Sequence, residues 1–188
     1  MRRTNTRQLI IDTASRLFYH NGYNLTGINE IIAEAGIAKA TLYSHFKSKD
    51  DLAVAYLGQR DRNLLMGLEG FLIQKPMGNE RLVGIVEFLL SFYEEDEFAG
   101  CWCIRTFAEV PAENTLVIDK IRELKGVLKT YIGNQVMINR SDLDAEQQER
   151  LARRIYLLYE AAVCESYMHG APWPIEESIS LLKEILEN

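Results

Sequence analysis

The stretch Gly22 to Leu52 reads GYNLTGINEIIAEAGIAKATLYSHFKSKDDL and decides the fold. Two short segments with helical apolar spacing flank Gly36. In the first, Ile28, Ile31, Ile32 and Ala35 share one face. The second runs from Ala38 to His45, with Leu42 and Phe46 turned back to the core. Ala38, Lys39, Ala40, Thr41, Ser44 and His45 are left facing outward. Ile37 anchors the turn, and Gly36 stops the first segment. Two short helices packed steeply across a glycine-containing turn have helix-turn-helix geometry. A second helix carrying short or polar outward side chains suits entry into a groove.

Helical signals continue on both sides. Leu9, Ile10, Ala14, Leu17 and Phe18 make one stripe of a first helix over about Thr6 to His20, stopped by Asn21-Gly22. Leu25-Thr26-Gly27 opens the second helix. Ser48-Lys49-Asp50-Asp51 is a capping signal for a long fourth helix, to about Ile73. Further helices are expected over about Glu80–Glu94, Cys101–Val110, Asn114–Ile138 and Ala145–His169. Glu94 to Glu97 form an acidic break. Asp144 with Gln147 fits a capping box, and Gly170 and Pro172 stop that helix. Pro174 is placed at the first position of a last helix ending near Leu186. No alternating run reads as a strand, so the fold class is all-α.

The chain has 188 residues, 47% of them hydrophobic, and a net charge of −6. That composition supports a packed core and argues against disorder. No apolar run approaches the ~18 residues of a membrane span. The basic start MRRTNTRQ is followed by an apolar stretch broken by Asp12 and Arg16, which excludes a signal peptide. Three cysteines are too few for a disulfide framework, and a reducing cytoplasm is expected. The charge is uneven. Residues 1–49 carry seven basic and three acidic side chains, net +4, and the other 139 carry 14 and 24, net −10. A basic head on an acidic body suits a head that meets a polyanion, with chance clustering of surface charge as the alternative.

Gly22, Tyr23, Thr26, Ile31, Ala35, Gly36, Thr41, Leu42, Tyr43, His45, Phe46, Lys49 and Leu52 follow the pattern of one family. Over about residues 6–55 the chain resembles the DNA-binding domain of TetR-family transcription regulators. It departs from the pattern at Gly27, Ile32, Ala38 and Ala40, where Ser or Thr, Ala, Ser and Gly are frequent. The resemblance implies a helix-turn-helix domain over 1–50. It implies a larger helical effector-binding and dimerisation domain over 51–188. With the chemistry of the side chains, it assigns Thr26 and the Gly27 amide to a phosphate. Tyr43, His45 and Lys49 are likewise assigned to backbone phosphates. Lys39 is the candidate for a guanine edge, and Thr41 and Ala40 for a thymine methyl. Ala38 and Ser44 complete the DNA-facing set, with Arg2 and Arg3 as an arm toward the minor groove. The implied partners are a near-palindromic DNA operator, a small-molecule effector and a second copy of the chain, with no membrane. A repressor released by its effector is the form expected.

The body carries no comparable motif. Leu151, Ile155, Leu158 and Ala162 of one helix, and Ile175, Ile179, Leu182 and Leu186 of the last, are apolar rows. Leu157, Tyr159, Val163, Leu181 and Ile185 put apolar surface on the other faces of both helices. A helix apolar nearly all round is buried nearly all round. A homodimer interface accounts for that, with a monomer sandwiching both helices as the alternative. An effector pocket is expected among Phe71, Phe92, Trp102, Cys103, Phe107, Tyr131 and Tyr159, with Phe88, Tyr93 and Tyr167 nearby. Apolar packing is the default for Cys101, Cys103 and Cys164. A thiol sensor, or a zinc site completed by His169, is the alternative. No cofactor is expected, and G-x-S-x-G, P-loop and H-E-x-x-H motifs are absent, which argues against an enzyme. An all-helical interaction module with an incidental basic head is the competing function.

Overall fold

A computed structural model describes residues 5–94 and 98–187. Among them are nine helices: α1 (Thr6–Asn21), α2 (Ile28–Glu34), α3 (Lys39–His45), α4 (Lys49–Leu72), α5 (Asn79–Tyr93), α6 (Trp102–Glu109), α7 (Thr115–Asn139), α8 (Ala145–His169) and α9 (Trp173–Glu187). There is no strand among the described residues. None of these helices is long and apolar enough to cross a membrane. Arg2, Arg3 and Glu95 to Glu97 lie outside the described residues.

Contacts divide the chain into two compact units. The first takes the chain up to Asn63 together with Trp102–Leu124. Its core is the α1 stripe of Ile10, Ala14, Leu17 and Phe18, joined by Ile31, Leu42, Phe46, Leu52 and Tyr56, all buried. The Phe18 ring lies 5.7 Å from that of Tyr23 and 5.6 Å from that of Tyr56. Local chemistry sets the helix ends. Asn5 caps α1 by accepting from the Arg7 amide at 3.1 Å. Ser48 Oγ caps α4 by accepting from the Asp51 amide at 3.0 Å. Gly36, with φ of 62°, supplies the left-handed turn between α2 and α3.

The second unit takes Leu64–Cys101 and the chain from Lys125 onward. Here α5, α8 and α9 pack on one another. Leu82 and Ile85 of α5, Ile155 of α8, and Ile175 and Leu182 of α9 are fully buried. Burying each such side chain stabilises the unit by roughly 1.5–3 kcal/mol. The Asp144–Gln147 capping box opens α8: the Gln147 amide donates to Asp144 at 2.8 Å, and the Asp144 amide to Gln147 at 3.0 Å. Gly170, left-handed at φ 58°, closes it. The last helix begins at Trp173, so Pro174 is its second residue rather than its first.

The predicted dimer rows need correcting. Leu151, Ile155, Ala162, Ile175, Ile179, Leu182 and Leu186 are all buried within the single chain, and Leu158 is half-buried. Helical periodicity shows that a face is covered but does not say by what. In this chain α5, α8 and α9 cover one another.

Candidate nucleic-acid interface

The first unit presents α3 as the sequence requires. Leu42 is fully buried and Phe46 nearly so, which fixes the helix to the core. Ala38, Lys39, Ala40, Ser44 and His45 are exposed, Tyr43 is 45% exposed and Thr41 is half-buried. The Lys39 ammonium lies 6.0 Å from the centre of the Tyr43 ring, one turn along the same face. Ser44 spends its hydroxyl proton on the Thr41 carbonyl at 2.7 Å, leaving its lone pairs as acceptors. The face therefore offers one cation, one phenol, one imidazole and small side chains that do not obstruct approach.

Three other predicted contacts are placed differently. Thr26 is fully buried, and its hydroxyl points to the carbonyls of Gly22 at 2.8 Å and Leu17 at 3.2 Å. Its role is to satisfy carbonyls where α1 ends, not to meet a phosphate. The Gly27 amide donates to the Glu30 carboxylate at 3.3 Å, so the start of α2 supplies its own anion. Lys49 is half-buried, with its ammonium 4.3 Å from the centre of the Tyr23 ring. Burial lowers its pKa, while the Asp50 and Glu109 carboxylates push it the other way. Tyr23 in turn donates to Asp50, and burial followed by that hydrogen bond raises the phenol's pKa.

Sequence reading missed the way α6 grips this unit. Arg105 donates to the Tyr19 carbonyl at 2.5 Å and to that of His20 at 3.5 Å, at the end of α1. The Arg60 guanidinium lies 3.8 Å from the centre of the Tyr19 ring and 5.0 Å from that of Trp102. The Glu109 carboxylate accepts from the Asn24 amide at 2.7 Å, and the Asn24 side chain returns a bond of 2.7 Å to the Glu109 carbonyl. Gly22 has φ of 91°, and a Cβ there would stand 2.5 Å from a Glu109 oxygen. Contacts spanning 85 residues leave no local signal. Two exposed basic residues near α3 were also missed: Lys47, two residues past its end, and Arg7, whose guanidinium lies 5.1 Å from the centre of the Phe46 ring. The excess of basic residues in the head was the signal that could have found them.

The predicted pocket residues are divided between the two units. Trp102, Cys103 and Phe107 belong to the first unit, and Phe71, Phe92, Tyr131 and Tyr159 to the second. Phe107 is 50% exposed, whereas Cys103 and Tyr159 are buried. Phe71, Phe88 and Phe92 touch in series, the first pair tilted and the second edge to face, with ring centres 5.5 and 5.0 Å apart. The Tyr131 hydroxyl is buried, and burial raises its pKa, with the Gln135 side chain opposing. The second unit has a cleft of about 320 Å³ beside Lys75, Glu87 and Lys183. Another, of about 520 Å³, runs along Gly126, Gly133 and Ala152. Neither is lined by any of the predicted aromatics. No group of three or more metal-ligating side chains converges among the described residues, so Cys101, Cys103, Cys164 and His169 do not assemble there as a zinc site.

Residues 10–56 match the profile of the bacterial regulatory proteins of the tetR family. The chain therefore carries a TetR-family helix-turn-helix segment. Its N-terminal segment is therefore of the DNA-binding regulator class, which disfavours an incidental interaction module. The transcriptional activator FasR of Mycolicibacterium smegmatis is 35% identical over 94 residues, covering 50% of this chain but only 43% of FasR. The transcriptional repressor BepR of Brucella suis is 25% identical over 182 residues, covering 90% of this chain and 86% of BepR. These relatives are regulators rather than enzymes. The crystal structure of SCO4454, a TetR-family transcriptional regulator from Streptomyces coelicolor, superposes with a TM-score of 0.84 at 23% identity, over 97% of this chain and 94% of that one. That likeness shows the shared fold.

Proposed function

We propose that this chain is a dimeric, sequence-specific regulator of the TetR family acting in the cytoplasm, a repressor released from its operator by a small-molecule effector. The reading rests on one observation: α3 is pinned by Leu42 and Phe46 and turns Ala38, Lys39, Ala40, Tyr43, Ser44 and His45 to solvent. A helix so held fits the major groove. Lys39 reads a guanine edge, Tyr43 and His45 donate to phosphates, and Ala40 with Thr41 lies against a thymine methyl. Lys47 and Arg7 add positive charge beside it. DNA reading belongs to residues 1–50, and effector binding and dimerisation to 51–188.

The dimer surface follows from what the chain leaves uncovered. Leu157 on α8 is 65% exposed and Leu181 on α9 is 40% exposed. A second copy covers these side chains, and two heads then meet half-sites about 34 Å apart, one turn of duplex. An effector that favours one head spacing shifts operator affinity by about 1–3 kcal/mol.

Selection from a random duplex library tests this, because the protein itself picks the operator out of all possible sequences. The expected product is a near-palindromic site with half-sites one turn apart, bound with a steep loss of affinity as salt rises. A folded dimer that enriches no sequence, and shifts no duplex at about 50 mM salt or below, would overturn the reading.

A further inference from the structure

Cys101, Lys125, Glu160 and Cys164 form a cluster in the second unit that the DNA-binding reading does not use. They come from three places in the chain: the segment just before α6, α7, and α8. The Lys125 ammonium lies 3.2 Å from the Cys101 sulfur and 2.5 Å from one Glu160 oxygen. An ammonium has three protons, so both contacts are met at once. The Lys125 side chain is 22% exposed and that of Glu160 is 14% exposed, so water screens the arrangement only in part. The other Glu160 oxygen is buried and accepts no hydrogen bond. Cys164 stands four residues after Glu160, on the same face of α8. Cys101 and Cys164 are both half-buried, and neither is in a disulfide.

The two thiols differ in a useful way. Cys101 has a cation against its sulfur, which favours the thiolate. Cys164 is pushed up to about 11, first by burial, then by the neighbouring Cys101 and by Glu160, with Lys125 opposing and Glu165 adding to the rise. One sulfur is set up to attack and the other to stay protonated until it is needed.

We propose that Cys101 and Cys164 form an oxidisable dithiol in which Lys125 holds Cys101 as the attacking thiolate. The oxidant is a hydroperoxide. The Cys101 thiolate attacks the terminal peroxide oxygen, the O–O bond breaks, and the leaving alkoxide takes a proton to depart as an alcohol (water, for hydrogen peroxide). Cys101 becomes a sulfenic acid. Cys164 sulfur then attacks the Cys101 sulfur, the S–O bond breaks, and the Cys164 proton leaves with the hydroxyl as water. One disulfide forms and two electrons have passed to the peroxide. Cys103, 4% exposed, takes no part.

The test uses the reduced full chain and one equivalent of hydrogen peroxide at pH 7. Chymotrypsin cuts after Trp102 and so separates Cys101 from Cys103 for mass spectrometry without reductant. The expected product is a Cys101–Cys164 linked peptide lighter by two hydrogens, with Cys103 still a thiol. Cys164→Ser should leave a Cys101 sulfenic acid that dimedone traps. Lys125→Met should slow oxidation of Cys101 roughly tenfold, the scale on which a neighbouring cation shifts a thiol toward its ionised form. Lys125→Arg should restore most of that rate. A linked pair other than Cys101–Cys164, or no linkage, overturns the dithiol. A folded Lys125→Met chain that reacts as fast as the parent overturns the role of Lys125. If that variant unfolds, a Lys125→Arg rate near the parent's supports the role and a roughly tenfold slower one removes it. The readout is covalent and needs no DNA, so this proposal and the operator-binding reading can each fail alone.

Discussion

Helices α3 and α9 are built on the same plan and used in opposite ways. Both are amphipathic. In α9 the apolar row of Ile175, Ile179, Leu182 and Leu186 is covered by the chain itself. That row fastens the helix to the rest of the second unit. In α3 a single buried residue, Leu42, with Phe46 just beyond, holds the helix, and most of its remaining side chains face water. Seven residues with one buried anchor could not hold a helix in isolation. Neighbours must impose the conformation, and the surface so created is free to read something else. A short helix with one buried residue is a better sign of function than a longer one with a full buried row.

The largest effect expected from this contrast is in α9. Leu182→Ala should cost about 2–5 kcal/mol in urea unfolding, because it opens a void in a closed core. Leu181→Ala, one residue along and 40% exposed, should change single-chain stability by no more than about 0.5 kcal/mol. Equal losses at both positions would mean that α9 is not seated as described. In α3 the ranking inverts. Lys39→Ala should leave the melting curve unchanged and weaken binding to the selected site by about 1–3 kcal/mol, with relaxed preference at one base pair. A uniform loss across all duplexes would instead make Lys39 a phosphate contact. The smallest effect separates inside from outside within the head. Thr26→Val should cost about 1 kcal/mol of stability by stranding the Gly22 and Leu17 carbonyls, and leave the salt dependence of DNA binding as it was. A shallower salt slope with unchanged stability would return Thr26 to the phosphate role.

The sequence was most readable where the cause is local. The bounds of α8 follow from Asp144, Gln147 and Gly170, three residues whose chemistry acts within a turn of themselves. The outward face of α3 follows from Leu42 and Phe46 spaced four apart. Reading failed where two covers for one face look alike. Ile155 and Leu182 have the spacing of buried residues, and nothing in that spacing separates a neighbouring helix from a second copy. Thr26 failed for a related reason: a hydroxyl at a helix start can turn to an anion outside or to carbonyls inside, and α1 supplied the carbonyls. The grip of α6 on the head was out of reach, because Arg105 and Glu109 meet Tyr19 and Asn24 only once the chain has folded.

Gly22 carries a consequence for anyone making every substitution across the head and scoring survivors by repression. At that position most of the nineteen alternatives should lower the score, chiefly because a φ of 91° strains any residue with a Cβ, and because the Glu109 carboxylate would have to move off its bond to Asn24. A heat map would draw it as bright as Lys39. The two are told apart by solubility in the cell: changes at Gly22 should deplete intact protein, while changes at Lys39 should leave its amount untouched and silence only the readout.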